Sequence, residues 1–316
     1  NPNASSHGNI KFFDIGNNIS DRDKLSIIRE LKSVVGIEDK WISVEPDDHG
    51  DWINKRDASF DNFIKIGDKK EKDEVKLFHN FTQGVLTSRD VWCYNASEAV
   101  LKSNMRKTIE FFNSEVQRIG AISREGARDV VERNAALISW SRALLNDAER
   151  GKLATYAPEK LTVSAYRPFT KQWAYFDRRF NEMIYLTERL FPAPSVKNRY
   201  IMVSGTGARS GFTALLCEDL PNFHTVDTGQ CFPMKLFETS RPSTSEDLFS
   251  ENPSPNESVR DGITDAGLKH FHEAYPGETI TKEDLFYYVY GLLHSEDYRA
   301  QYADNLSKEL PRIPRV

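Results

Sequence analysis

Two hydrophobic periods follow one another along this chain, and the switch between them limits its fold more than any other feature. From Ser97 to about Gly120, Leu101, Met105, Ile109, Phe112, Val116 and Ile119 recur at steps of three and four, which lines one face of a long amphipathic helix. From Leu161 the chain turns to short β-branched and aromatic runs, LTVSAYRPF, QWAYFD, MIYL, RYIMVSG and FTALLCE, broken by Gly, Pro and Asn. These predict strands of one mixed or antiparallel sheet or a barrel-like unit. A chain holding both patterns is α+β: a helical spacer, a strand-rich unit and, as argued next, C-terminal helices.

The flanks add detail. Residues 9–15, NIKFFDI, read as a strand, and Ser20 with Asp23 starts a helix carrying Leu25, Ile28 and Leu31. Residues 41–95 are irregular and hold Trp41, Trp52 and Trp92. A second helix is expected from about Arg128 to Asp147, completing a helical hairpin or spacer. The stretch from Thr239 to Arg260 is rich in Ser, Pro and acids and reads as a surface loop or linker. Thr281 with Asp284 caps a helix bearing Leu285, Val289, Leu292 and Leu293, and Ser295 opens another with Tyr298, Tyr302 and Leu306, halted by Pro311 and Pro314. The expected divisions are 1–40, 41–155, 156–238 and 239–316.

Several function classes fall away. No apolar run approaches the ~20 residues that span a bilayer, and the first ten residues have neither a basic nor an apolar signal-peptide region. Only Cys93, Cys217 and Cys231 are present, so a disulfide scaffold is not expected and a reducing cytoplasm is the simplest compartment. The chain of 316 residues begins with Asn rather than Met, as a piece excised from something longer would.

Catalytic patterns are missing too. No GxSxG elbow occurs. The Gly-rich stretch Gly205-Thr206-Gly207-Ala208-Arg209-Ser210-Gly211 follows an apolar run and lacks the Lys-Ser/Thr of a P-loop. It is either a tight hairpin turn or, less simply, a phosphate cradle. Cys217, His224 and Cys231 are spaced by sevens, which matches no common zinc pattern. His49 reads as a surface histidine, and Asp47, Asp48 and Asp51 as a hydrated turn rather than acid–base groups. No catalytic and no metal-binding residue is assigned.

Charge is the informative signal. The formal net charge is −5, yet between Glu159 and Phe212 nine Lys/Arg face four acids, whereas from Ser240 to Asp284 four bases face ten acids. Ten aromatics, among them Tyr166, Phe169, Trp173 and Tyr185, interleave with the basic stretch. Cations with aromatics suit nucleic-acid phosphates and bases, and equally suit a strand-rich domain with aromatics inside and cations outside.

A resemblance resolves that ambiguity. The segment Tyr166-Arg167-Pro168-Phe169-Thr170-Lys171-Gln172-Trp173-Ala174-Tyr175-Phe176-Asp177 is similar to the YRPF–K–Q–YFD segment of type ISP restriction–modification enzymes and related helicase–methyltransferases. Further matches lie at Asp51-Trp52-Ile53 with Arg56 and Phe60, at Gly84 to Tyr94, at Ile138 to Arg142, at Gln230-Cys231-Phe232-Pro233, at Tyr288 to Gly291, at Leu293-His294-Ser295, at Tyr298-Arg299 and at Leu310 to Pro314. The chain thus resembles the C-terminal target-recognition region of that family, in which one polypeptide joins a nuclease, an ATPase motor, a helical coupler and an adenine-N6 methyltransferase.

The resemblance implies that residues 9–35 are like the last strand and helix of the methyltransferase. Its cofactor glycine motif and NPPY motif would lie upstream, and Asn1-Pro2-Asn3-Ala4 lacks the aromatic residue of NPPY. S-adenosylmethionine, ATP and Mg are accordingly implied for other domains, and none for these residues. The implied partners are double-stranded DNA and an intramolecular methyltransferase domain, with no membrane and a monomeric state. Phosphate contacts are expected from Lys171, Arg178, Arg179, Lys197, Arg199 and Arg209, and base or backbone contacts from Thr87, Ser88, Arg89, Thr206, Ser210 and Gln230. Tyr166, Pro168, Phe169 and Trp173 are expected to be scaffold. The alternative is a module that couples methyltransferase to motor without reading DNA.

Overall fold

A computed structural model describes residues 8–71, 74–122, 127–239 and 257–315. The chain forms two compact units, Asn1–Asp57 and Ala58–Val316. In the first, strand β1 (Ile10–Phe12) is followed by helix α1 (Asp21–Leu31) and by β2 (Ile42–Val44), which pairs antiparallel with β1. Ser20 caps α1 by accepting from the Asp23 amide at 3.2 Å. Spacing alone predicts a buried face here, but Leu25 and Ile28 are 54% and 56% exposed, and Ile37 is the one buried hydrophobic side chain among the unit's described residues.

The second unit begins with β3 (Ile64–Lys65), β4 (Thr82–Gln83), the short helix α2 (Asp90–Cys93) and β5 (Tyr94–Asn95). Helix α3 (Glu98–Ile122) follows, and all six residues of its apolar stripe are buried, from Leu101 to Ile119. The second spacer helix does not run through 128–147. It is split into α4 (Ala127–Val130) and α5 (Arg142–Glu149). Between them the Asn134 side chain accepts from the Ala136 amide at 2.9 Å, and Trp140 Nε1 donates to the Glu132 carbonyl at 2.8 Å. Such local bonds compete with helical ones, and Ser141 then caps α5.

Next come β6 (Leu161–Arg167), β7 (Thr170–Tyr175), β8 (Tyr200–Val203), β9 (Ala214–Cys217), β10 (Leu220–Pro221) and β11 (Gln230–Pro233). The expected single sheet is two: a mixed one ordered β10-β6-β7-β5 and an antiparallel one ordered β4-β11-β8-β9. The run MIYL contributes only an isolated bridge, Leu86 to Met183. Strands β12 (Lys235–Thr239) and β13 (Glu257–Asp261) pair antiparallel; the loop expected over 239–260 falls mainly on residues outside the described ones.

The chain ends with α6 (Asp265–Ala274), α7 (Lys282–Leu292), α8 (Glu296–Gln301), α9 (Ala303–Lys308) and β14 (Arg312–Ile313), which pairs with β3. Thr281 and Asp284 form the expected capping box. The helix expected from Ser295 is broken at Tyr302 into α8 and α9.

Sheet β4-β11-β8-β9 is the wall between two hydrophobic cores. Tyr200 and Met202 of β8 face a core built on α3, α5 and the other sheet. Ile201 and Val203 face a second core, with Phe60, Phe78, Phe286 and Val289. A strand buried on both sides reads as a continuous apolar run rather than an alternating one, which is what YIMV is. Among the described residues no helix is long and apolar enough to cross a membrane.

Candidate nucleic-acid interface

Three of the six cations expected at phosphates come together. Lys171 at the start of β7, and Lys197 and Arg199 just before β8, line a cleft of about 540 Å³ with Lys235 of β12. Lys171 Nζ lies 2.6 Å from one oxygen of Asp219, and Lys197 Nζ lies 3.6 Å from the other. Arg199 Nε is 2.7 Å from Glu218 Oε1, and Nη1 donates to the Tyr287 hydroxyl at 2.6 Å. The Asp219 carboxylate, hydrogen-bonded to Lys171, raises that ammonium above the ordinary lysine pKa. Both lysine side chains remain about three-quarters in solvent, at 69% and 77%, where ion pairs are weak.

Arg178 and Arg179 sit elsewhere, on a cleft of about 870 Å³ with Asp147 and Arg150. Arg178 pairs with Glu188 at 2.5 Å. Arg179 pairs with Asp147 at 3.2 Å and donates to the Leu153 carbonyl. The positive excess counted over 159–212 is therefore largely cancelled in space by Asp90, Asp147, Glu218 and Asp219, which lie outside that stretch.

The Gly-rich stretch is the β8–β9 connection, with Gly207 and Gly211 at φ +74° and +75°, conformations that suit glycine. Its amides are engaged internally: Gly205 donates to the Asp227 carbonyl, Gly207 to the Ser307 carbonyl, and Arg209 to Asp227 Oδ2 at 2.8 Å. That leaves a hairpin turn rather than a phosphate cradle. Thr206, Arg209 and Ser210 are exposed on it. Thr206 borders a further cleft of about 390 Å³ beside Lys69, Lys70 and Arg312. Gln230 is half-buried, its amide donating to the Thr228 carbonyl.

No group of three or more His, Cys, Asp or Glu among the described residues could hold a metal ion. Burial pushes the Cys217 thiol up to about 11, and Cys231 is fully enclosed.

The family model for the Type ISP C-terminal specificity domain matches residues 76–316. The chain belongs to that family. Solved structures similar to it across 98% of its length include the ATP-dependent Type ISP restriction-modification enzyme LlaBIII bound to DNA (29% identity, TM-score 0.82). A nuclease-deletion mutant of the Type ISP restriction-modification enzyme LlaGI in complex with a DNA substrate mimic (30%, 0.80) and a DrdV–DNA complex (27%, 0.82) are further matches. The chain spans 19%, 26% and 29% of those three chains. No curated protein matches it.

Within this specificity domain, two residues expected at DNA are buried and engaged in its own hydrogen bonds. The Thr87 hydroxyl is buried, donates to Asp90 Oδ1 and accepts from the Arg89 amide at 3.0 Å, which shapes the entry to α2. Arg89 has a side chain with no exposure, spent on the Ser139 and Phe180 carbonyls and on Glu182 at 3.4 Å. Ser88 alone of that trio is exposed. The YRPF segment of the specificity domain is the β6–β7 hairpin. Tyr166 and Trp173 pack partly against the first core, but Pro168 and Phe169 form its two-residue turn, and Phe169 is 95% exposed. Asp219 and Lys235 complete the cation cluster although neither lies in the basic stretch; only the pairing of strands brings them there.

Proposed function

We propose that this specificity domain recognises a short sequence in double-stranded DNA and so directs adenine-N6 methylation and ATP-dependent restriction carried out by other domains of a longer polypeptide. The observation that carries this reading is the likeness, over 98% of the chain, to three Type ISP or DrdV structures that contain DNA. The exposed lysines around Asp219 would position the backbone, as would Arg209, and Ser88, Thr206 and Ser210 are the remaining exposed candidates for reading.

The test is binding to a random duplex pool, selected and then titrated with salt. Recognition predicts one preferred short site and a log–log fall of affinity with salt. Equal and negligible affinity for every duplex would overturn it.

Residues 1–40 are proposed to close a methyltransferase-like domain. A unit whose described residues expose Leu25 and Ile28 and bury, of their hydrophobic side chains, Ile37 alone holds too little apolar contact to stand alone, and a larger sheet domain would cover that face. S-adenosylmethionine, ATP and Mg would act in the other domains, and a monomer in the cytoplasm is the proposed setting. The coupling alternative draws on the long helix and the C-terminal helices, whose apolar faces are consumed by the two cores.

A further inference from the structure

Phe169 is the most exposed large hydrophobic residue among the described ones. It occupies the second position of the turn between Arg167 and Thr170, after Pro168, with φ +59°. Glycine or asparagine is usual at such a left-handed position. An aromatic there is disfavoured twice, by backbone strain and by the water around its ring, and among the described residues Phe169 packs against neither core.

The stem below the turn is braced. The Arg167 guanidinium lies over the Tyr166 ring at 4.0 Å, and its Nη1 donates to Asn222 Oδ1 at 3.1 Å. The Tyr166 hydroxyl donates to Asp90 Oδ2 at 3.1 Å, and its ring meets that of Tyr94 at 4.8 Å. The tip is therefore presented by a fixed support instead of hanging on a loose loop. Beside it a cleft of about 340 Å³ runs from Phe169 past Arg167 and Lys171 to Asp219. Lys171 and Asp219 also line the cation cleft of Lys197 and Arg199, so the ring and the lysines border one continuous strip.

We propose that Phe169 is an aromatic wedge that stacks on a nucleobase at a distorted step of the bound duplex, while Lys171 and its neighbours hold the flanking phosphates. The proposal rests on the DNA-recognition reading above. Exposed ring, rigid stem and adjacent cations are the parts such a contact needs: base–aromatic stacking supplies affinity at an opened step, and wedges of this kind bend the duplex.

The experiment uses the full polypeptide carrying this domain and a duplex containing the selected site, with 2-aminopurine placed at successive positions. Wild type should give a fluorescence change confined to one step. Phe169→Ala should abolish that change and weaken binding roughly tenfold or more, Phe169→Trp should retain both, and a mismatch built into that step should tighten wild type at least as much as Phe169→Ala, because the ring's stacking no longer has to offset the cost of opening the step. Phe169→Gly should raise the Tm of the free protein while weakening binding, since it relieves the turn and deletes the ring. Wild type that binds its site while Phe169→Ala matches it in affinity and fluorescence overturns the wedge and leaves DNA recognition standing. A loss of affinity in Phe169→Ala with no step-confined fluorescence change in wild type also overturns it and assigns the ring to docking on another domain. Wild type with no duplex affinity overturns both readings.

Discussion

Lys171 Nζ lies 2.6 Å from Asp219 Oδ2, and the other oxygen of that carboxylate faces Lys197 at 3.6 Å. One acid thus pairs with two exposed ammonium groups that are proposed to hold phosphate. Asp219→Asn is expected to tighten duplex binding about threefold at low salt, on the scale of a weak surface pair, and to do so for every sequence. Competition titrations measure this, and weaker binding by the variant would show that Asp219 positions the lysines instead.

Lys197→Ala and Arg209→Ala are expected to weaken binding to all duplexes alike and to lower the salt slope by about one each. Both side chains are exposed, so folding should be unaffected. A slope identical to wild type would place the basic face elsewhere.

Arg89→Ala should act through stability alone. The variant strands the Ser139 carbonyl, leaves the Phe180 carbonyl only the weak Cys93 thiol donor at 3.4 Å and takes Arg89 away from Glu182, a loss of about 3 kcal/mol. Urea unfolding reads that loss, while the salt slope of DNA binding in the folded variant stays that of wild type. Full wild-type stability would contradict the buried network.

Asn113 makes a reciprocal pair with the backbone of Ala154: Nδ2 donates to the carbonyl and Oδ1 accepts from the amide, each at 2.8 Å. This fastens α3 to the segment that enters β6. Asn113→Ala should cost about 2 kcal/mol by orphaning both backbone groups, with Asn113→Asp damaging chiefly the carbonyl side. Denaturant midpoints test both variants.

Acid should weaken the loop at Asp68. Its hydrogen bond to Lys65, joined by the amides of Glu71 and Lys70, holds the Asp68 carboxyl down at about 2, below its ordinary 3.8. A folded-state pKa depressed in this way means the contribution is complete above about 3.8 and is lost as pH falls toward 2. Melting curves across that window should show a smaller acid-induced drop in Asp68→Asn than in wild type, and identical drops would mean the pair adds nothing.

Some of this architecture is legible in the residues. The α3 stripe can be read because one helical face supplies all of its buried residues, and the Thr281–Asp284 cap because its bonds are local. What cannot be read depends on partners distant in sequence. A doubly buried strand such as Tyr200–Val203 carries no alternation to mark which sheet it joins. Helix α6 buries only Gly267 and Phe271, too thin a stripe to stand out. The basic excess is visible, but the acids that offset it arrive from Asp90, Asp147, Glu218 and Asp219. Phe169 misleads in the other direction: hydrophobicity argues for burial, and only the turn geometry throws it into solvent.

The wall shared by the two cores has a consequence for how this domain can come apart. Removing support from one face of β8 unsettles residues whose alternate neighbours hold up the other face, so neither core can melt by itself and unfolding across 58–316 should be all-or-none. A module of that kind cannot be trimmed to a smaller reader. It has to be inherited, transplanted or lost as one piece, and variety in what it reads must come from the loops that the wall leaves outside.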